Sequence, residues 1–317
     1  TMPPIEAQEL YDTLAAFLTE KQRAYFETNL ELDLALIFPE KARVRINMYN
    51  DLGSVGCAMR LVPLAVPGLA ELGLPPVVER LSRNRSGLLL VTGVTGSGKS
   101  TTLAAIIDEI NRNSACHIYT IEDPVEFVHS PVRSLITQRE IGYNTTGFAG
   151  AVRSALRADP NVLMIGEMRD KETILTALTA AETGLMVLST LHTGSATKTI
   201  QRILSFFEPK EQEAIRHQLA YALRAVICQQ LLPMIHGGRQ PFHEIMVNTA
   251  TIQEAILLGE FEKLQEYIRN GSYDGMCTMD ESIFNAYCAG DLSGETAQAF
   301  AMDREHMERA LRGAMLT

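Results

Sequence analysis

The sequence predicts an α/β fold preceded by a small α+β domain, and three observations predict it. Near-continuous apolar runs alternate with helical stretches between residues 87 and 191. A glycine-rich turn, GVTGSGKSTT at 93–102, lies between one such run and one such stretch. Ahead of both, residues 31–49 alternate apolar and polar with the period of half-buried strands. At 317 residues the chain is long for one compact core, so two domains are expected.

The elements follow in order. Residues 6–27 carry Leu10, Leu14, Phe17 and Leu18 at helical spacing. ELDLALIF and ARVRINMY read as strands; in the second, Val44, Ile46 and Met48 share one face and Arg43, Arg45 and Asn47 the other. VGCAMRLV, carrying Arg60, reads as a third strand. Pro63, Pro67, Gly68, Gly73, Pro75 and Pro76 punctuate a linker over 63–76. Beyond it GLLLVTG, HIYTIED, NVLMIGE and LMVLSTLH read as strands. FAGAVRSALRA and KETILTALTAAET read as helices among them, which implies a parallel sheet covered on both faces. KEQEAIRHQLAYALRAVICQQLL reads as one long amphipathic helix, and residues 251–313 as wholly helical. In TMDE, Thr278 and Glu281 form a capping box. The expected domains are 1–62, the linker, 77–250 and a helical region over 251–317.

Charge and composition narrow the function. A net charge of −10 and no long basic run argue against a dedicated nucleic-acid binder, which needs a cationic groove. No stretch approaches the roughly 20 apolar residues of a membrane span. The first residues have no signal-peptide pattern, and the absence of an initial Met suggests a fragment or processed chain. Cys57, Cys116, Cys228, Cys277 and Cys288 form no C-x-x-C pair, so free thiols in a reducing cytoplasm are expected.

The turn meets the phosphate-loop pattern with Gly93, Gly98, Lys99 and Ser100. Its glycines let backbone amides wrap phosphate. Lys99 supplies charge for the terminal phosphates, and Ser100 offers a hydroxyl to Mg²⁺. The following helix turns its positive end to the site. A nucleoside triphosphate, ATP or GTP, is the expected ligand, on Gly93, Thr95, Gly96, Ser97, Gly98, Lys99, Ser100 and Thr101. Two acidic sites follow apolar strands: Glu122, Asp123 and Glu126, then Glu167. Carboxylates there can hold the Mg²⁺ water shell or take a proton from attacking water. For Asp123 the alternative is a turn before Pro124. His192 in STLHT reads either as a γ-phosphate sensor or as a structural histidine. Arg45 and Arg60 are candidate charges for the leaving side, against a solvated strand face.

Together GVTGSGKSTTLAAIIDEINRN, IEDPVEFVH, LRADPNVLMIGEMRDKET, TALTAAETG and TLHTGSATKTIQRI resemble the secretion-type ATPases of type IV pili. Among these they resemble the PilT-like pilus-retraction ATPases most. The resemblance implies a PAS-like domain joined to a RecA-like ATPase domain, and a homo-hexameric ring at the cytoplasmic face of the inner membrane. It implies membrane contact only through a platform protein, and no nucleic acid. Such chains start some tens of residues earlier, so this one is expected to be shortened. By motif, Lys99 and Ser100 are the Walker A residues and Glu126 the general base. Glu167 is the Walker B glutamate, His192 the second histidine of the histidine box, and Arg45 and Arg60 the arginines that approach the nucleotide. The absence of a four-cysteine insertion favours the retraction branch over assembly and type II secretion ATPases. Three positions depart: Leu185 replaces the first histidine of the box, Val94 the loop proline, and Gln253 and Leu257 two arginines of a motif tied to retraction. Leu185 leaves open an accessory subunit that binds ATP but turns over poorly. A nucleic-acid translocase is a third reading, opposed by the acidic charge.

Overall fold

The computed structural model describes residues 5–38, 42–62 and 65–313. The chain forms two compact units, Thr1–Val66 and Pro67–Thr317. Pro63 and Leu64 of the expected linker, and residues 314–317 of the expected helical region, lie outside the described residues.

The first unit contains α1 (Ala7–Ala15), α2 (Glu20–Asn29), β1 (Glu31–Phe38), β2 (Ala42–Asp51) and β3 (Ser54–Val62). The helical stretch expected over 6–27 is two helices. Thr19 starts the second, accepting from Gln22 N while the Gln22 side chain accepts from Thr19 N. The strands form an antiparallel sheet in the order β1-β2-β3. Ile46 and Met48 of β2 are buried with Leu14, Phe26, Leu32 and Leu34, on the face that the alternation of β2 assigns to the core. On the other face Arg45 lies in register with Ala35 on one side and Arg60 on the other.

The second unit is built on a seven-stranded sheet. It opens with α3 (Pro76–Ser82), β4 (Gly87–Thr92), α4 (Lys99–Asn113), β5 (His117–Glu122) and β6 (Leu135–Glu140). Then come α5 (Phe148–Ala155), β7 (Val162–Ile165), α6 (Lys171–Glu182), β8 (Met186–Leu191) and α7 (Ala196–Ser205). They are followed by α8 (Pro209–Ala222), β9 (Leu223–Pro233) and β10 (Arg239–Val247). The chain ends in α9 (Ala250–Leu258), α10 (Leu264–Asn270), α11 (Met279–Cys288), α12 (Gly294–Phe300) and α13 (Arg304–Leu311). The strand order is β10-β9-β4-β8-β7-β5-β6. All neighbours run parallel except β10, which is antiparallel to β9, so the sheet is mixed rather than parallel throughout.

Helices cover both faces. Leu88 and Leu90 of β4 belong to one apolar cluster, with α5 to α9, and Leu89 and Val91 to another, with α3 and α4. Burial on both sides explains why β4 shows no apolar-polar alternation.

The same physics corrects one expectation. The single helix expected over 210–232 is α8 followed by β9. Residues 225–229 of β9 are buried, with β10 and β4 paired along its two edges, Val226 and Cys228 in the apolar cluster on one face and Ala225 and Ile227 in the cluster on the other. A continuous apolar run does not distinguish a buried strand from a helix by period alone; pairing with β4 decides here. β10 follows a turn in which Met234 N donates to Gly238 O and Gly237 and Gly238 take positive φ. The Gly-Gly pair was the sequence signal for that hairpin. β6, Leu-Ile-Thr-Gln-Arg-Glu, is a polar edge strand with no apolar run to mark it. In the helical region, Thr278 caps α11 and forms the capping box with Glu281.

Candidate functional site at the phosphate loop

The site begins where β4 ends. Between Thr92 and Lys99 the chain turns back, with Gly93 at φ 145° and Gly98 at φ 90°, in the region that favours glycine. A Cβ on Gly93 would collide with Gln229 O and Ser97 Oγ, and one on Gly98 would lie 2.7 Å from Gln229 Nε2. Gly98 is the N-cap of α4 and contributes no capping side chain, and the first turn holds no acidic residue. The positive end of α4 is therefore directed at the loop without an internal carboxylate to neutralise it. Lys99, only 9% exposed, donates through Nζ to Gly93 O at 2.8 Å and Val94 O at 3.0 Å. Burial lowers its pKa and the charge of Glu167 raises it. Ser100, Thr95 and Gly96 are exposed, Thr101 is half-buried, and Ser97 Oγ is buried without a hydrogen-bond partner. Nearby amides, an ammonium and an exposed hydroxyl on Ser100 have the chemistry to receive a triphosphate and its cation.

The strands beside β4 bring the carboxylates. Glu167 lies just past β7, and its loop is tied to β5 and β8. Gly166 N donates to Ile121 O at 2.8 Å, Thr190 Oγ1 to Gly166 O at 2.7 Å, and Met168 N to Thr190 O at 3.2 Å. Both oxygens of Glu167 are engaged: His192 Nε2 is 3.2 Å from Oε1, and Arg169 Nε donates to Oε2 at 2.8 Å. Lys99, Glu167 and His192 thus gather at the carboxyl ends of β4, β7 and β8. Arg169 was not singled out from the sequence; its position two residues after Glu167, on the same turn, is the signal that could have found it.

The first acidic site divides. Glu122 is buried and accepts from Thr120 Oγ1 at 2.7 Å and Gln138 Nε2 at 3.1 Å, which ties it to β6. Asp123 is exposed and Glu126 half-buried in the loop that follows. That loop is pinned by β6: Val125 N donates to Glu140 Oε2, His129 N to Gln138 Oε1, and Gln138 Nε2 to Phe127 O. The edge strand that the sequence concealed therefore holds the segment carrying Glu126.

Other expected positions lie elsewhere. Arg45 and Arg60 belong to the first unit. Leu185 precedes β8, where Gly87 N donates to its carbonyl, while His192 follows that strand. The two are separated by the length of β8, roughly 20 Å at about 3.3 Å per residue. Within one chain, Leu185 takes no part in the cluster around Glu167; it packs against the helical core. Gln253 donates to Ala220 O near the end of α8 at 3.0 Å, and Leu257 packs against the same core.

The sequence profile of the Type II/IV secretion system protein family matches residues 58–252. The chain belongs to that family. It is 43% identical over 297 residues to the type IV pilus retraction ATPase PilT of Pseudomonas aeruginosa, covering 94% of this chain and 86% of that one. It is 41% identical over 307 residues to the twitching motility protein of Neisseria gonorrhoeae, covering 96% and 82%. The crystal structure of the pilus retraction motor PilT with bound ADP superposes with a TM-score of 0.89 at 40% identity, covering 94% of this chain and 85% of that one. As a PilT-like member of the secretion ATPases, the chain has the loop, sheet order and strand-end carboxylates for nucleotide hydrolysis. No helix among the described residues is long and apolar enough to cross a membrane.

Proposed function

We propose that this secretion ATPase is a hexameric motor that hydrolyses ATP to power retraction of a type IV pilus. The observation that carries the reading is the cluster of Lys99, Glu167 and His192 beside the phosphate loop, in a chain similar to PilT over nearly its whole length. Lys99 and the amides of the loop bind the β- and γ-phosphates. Glu126 takes the proton of the attacking water as its oxygen bonds to the γ-phosphorus and the bond to the ADP oxygen breaks. Glu167, held by Arg169 and His192, would orient water bound to the cation. His192 reports the γ-phosphate to Glu167. Ser100 Oγ would help hold Mg²⁺, which would supply positive charge to the phosphate oxygens. Arg45 and Arg60 neutralise charge that develops on the leaving side.

The ring acts at the cytoplasmic face of the inner membrane through a platform protein. The test is deletion of the gene, with surface pili counted and twitching scored. Excess pili and lost twitching are the expected result, and would show that Gln253 and Leu257 are compatible with retraction. Bald cells would reassign the motor to assembly or secretion.

A further inference from the structure

The phosphate loop is held from behind by a side chain more than a hundred residues away. β9 runs parallel to β4 with Cys228 in register with Thr92, which places Gln229 beneath the turn that follows Thr92. Gln229 is 2% exposed. Its Nε2 donates to Ser97 O at 2.6 Å, and its Oε1 accepts from Thr102 Oγ1 at 2.7 Å. One amide thus bridges the last part of the loop and the first turn of α4. Its main-chain oxygen and its Nε2 are also the atoms that exclude a Cβ from Gly93 and Gly98.

The chemistry of this contact is demanding. A phosphate cradle needs N–H groups facing the anion and carbonyls facing away, because a carbonyl oxygen repels phosphate. Ser97 O is directed into Gln229. The bridge requires a donor and an acceptor on one side chain of this length. Glutamate has no donor when ionised, leucine has neither, and lysine has no acceptor. Burial makes an unmatched partner costly, since Ser97 O or the Thr102 hydroxyl would then lack a hydrogen bond away from water.

We propose that Gln229 is a positioning residue for nucleotide binding: it holds the Ser97 carbonyl away from the phosphates and so presets the loop whose amides receive them. This rests on the reading of 93–100 as an ATP site. Because the loop is preset before chemistry begins, its loss weakens ATP and ADP together and leaves the hydrolytic groups in place.

The experiment compares wild type with Gln229→Leu, Gln229→Glu and Thr102→Val in the full chain. It measures ADP affinity by titration, KM and kcat for ATP, and thermal unfolding without nucleotide. Gln229→Leu is expected to raise the ADP Kd and the ATP KM about tenfold, with kcat at saturation within about threefold. Gln229→Glu, whose carboxyl is driven to the protonated form by burial, regains a donor for Ser97 O and is expected to fall between wild type and Gln229→Leu. Unchanged Kd and KM in a folded variant would overturn the proposal, as would an equal fall in kcat with KM unmoved. Where Gln229→Leu fails to fold, Thr102→Val decides. It removes only the donor to Oε1, and a KM rise of about threefold is expected while an unmoved KM overturns the proposal. Lys99→Ala separates the two readings. If wild type binds ADP and Lys99→Ala does not, the site stands and Gln229 is judged on its own variants. If wild type binds neither nucleotide, both readings fall.

Discussion

Glu126 and Glu167 are both carboxylates at the rim of one sheet, yet their surroundings differ. Glu167 has each oxygen occupied, one by Arg169 and one beside His192, so it is held in place. Glu126 is half-buried on a loop whose backbone, rather than its carboxylate, is fastened to β6. A proton acceptor needs a carboxylate that can reach the water, which suits Glu126 better than the paired Glu167. Glu126→Gln is therefore expected to lower ATP turnover by about 10²-fold or more while ADP affinity stays within about twofold. Steady-state hydrolysis and ADP titration on the same preparation check this. Wild-type turnover in the variant would remove Glu126 from the mechanism, and equally slow turnover in wild type would favour the accessory role.

At the scale of elements, the antiparallel strand β10 closes the sheet beside β9, with His243 in register with Gln229. The His243 side chain is buried and its Nε2 has no hydrogen-bond partner. Burial lowers its pKa from 6.5 to about 4, so the folded protein keeps it neutral where an unfolded chain would protonate it. Between those values the unfolded state binds more protons, and stability falls as pH falls through the window. The adjacent Glu244 has its pKa raised, chiefly by burial, and acts in the opposite sense: it holds a proton in the fold that the unfolded chain releases. Comparison with His243→Gln isolates the histidine. Between pH 7 and pH 5, wild type is expected to lose about 2 kcal/mol more stability than the variant. Urea unfolding at the two pH values measures it, and parallel losses would show that His243 does not titrate as its burial requires.

The whole molecule assembles its chemistry from distant segments. The sheet of the second unit collects Lys99, Glu167 and His192 at its strand ends, with Glu126 on the loop that follows β5. β9 carries Gln229 under the loop, and Leu232 further along that strand joins Met279, Ile283 and Leu292 in the C-terminal cluster. The first unit presents Arg45 directly beside Arg60, an arrangement of like charges that costs stability unless an anion relieves it. The paired substitution Arg45→Ala, Arg60→Ala is expected to lower ATP turnover at least about tenfold. Thermal unfolding should barely change, since surface charges away from a core usually matter by less than about 0.5 kcal/mol. Unchanged turnover would leave the pair as a solvated strand face.

Local sequence by itself determined the phosphate loop, the strand before it and the helix after it, the position of Glu167 after an apolar run, the α11 cap and the alternating face of β2. Each depends on rules that act within a few residues: glycine at positive φ, helical or period-two spacing, and a capping side chain reaching its own first turn. Only the tertiary structure decided that residues 223–233 form a strand, because β4 and β10 pair with its two edges while apolar clusters cover both its faces and erase its alternation. It also decided that Arg169 pairs with Glu167, that β6 pins the Glu126 loop, and that Gln229 lies beneath Ser97. These features depend on which segments become neighbours once the sheet forms. A buried hydrogen bond between residues far apart in the chain leaves no periodic trace in the sequence, although it sets the geometry in which the motif residues act.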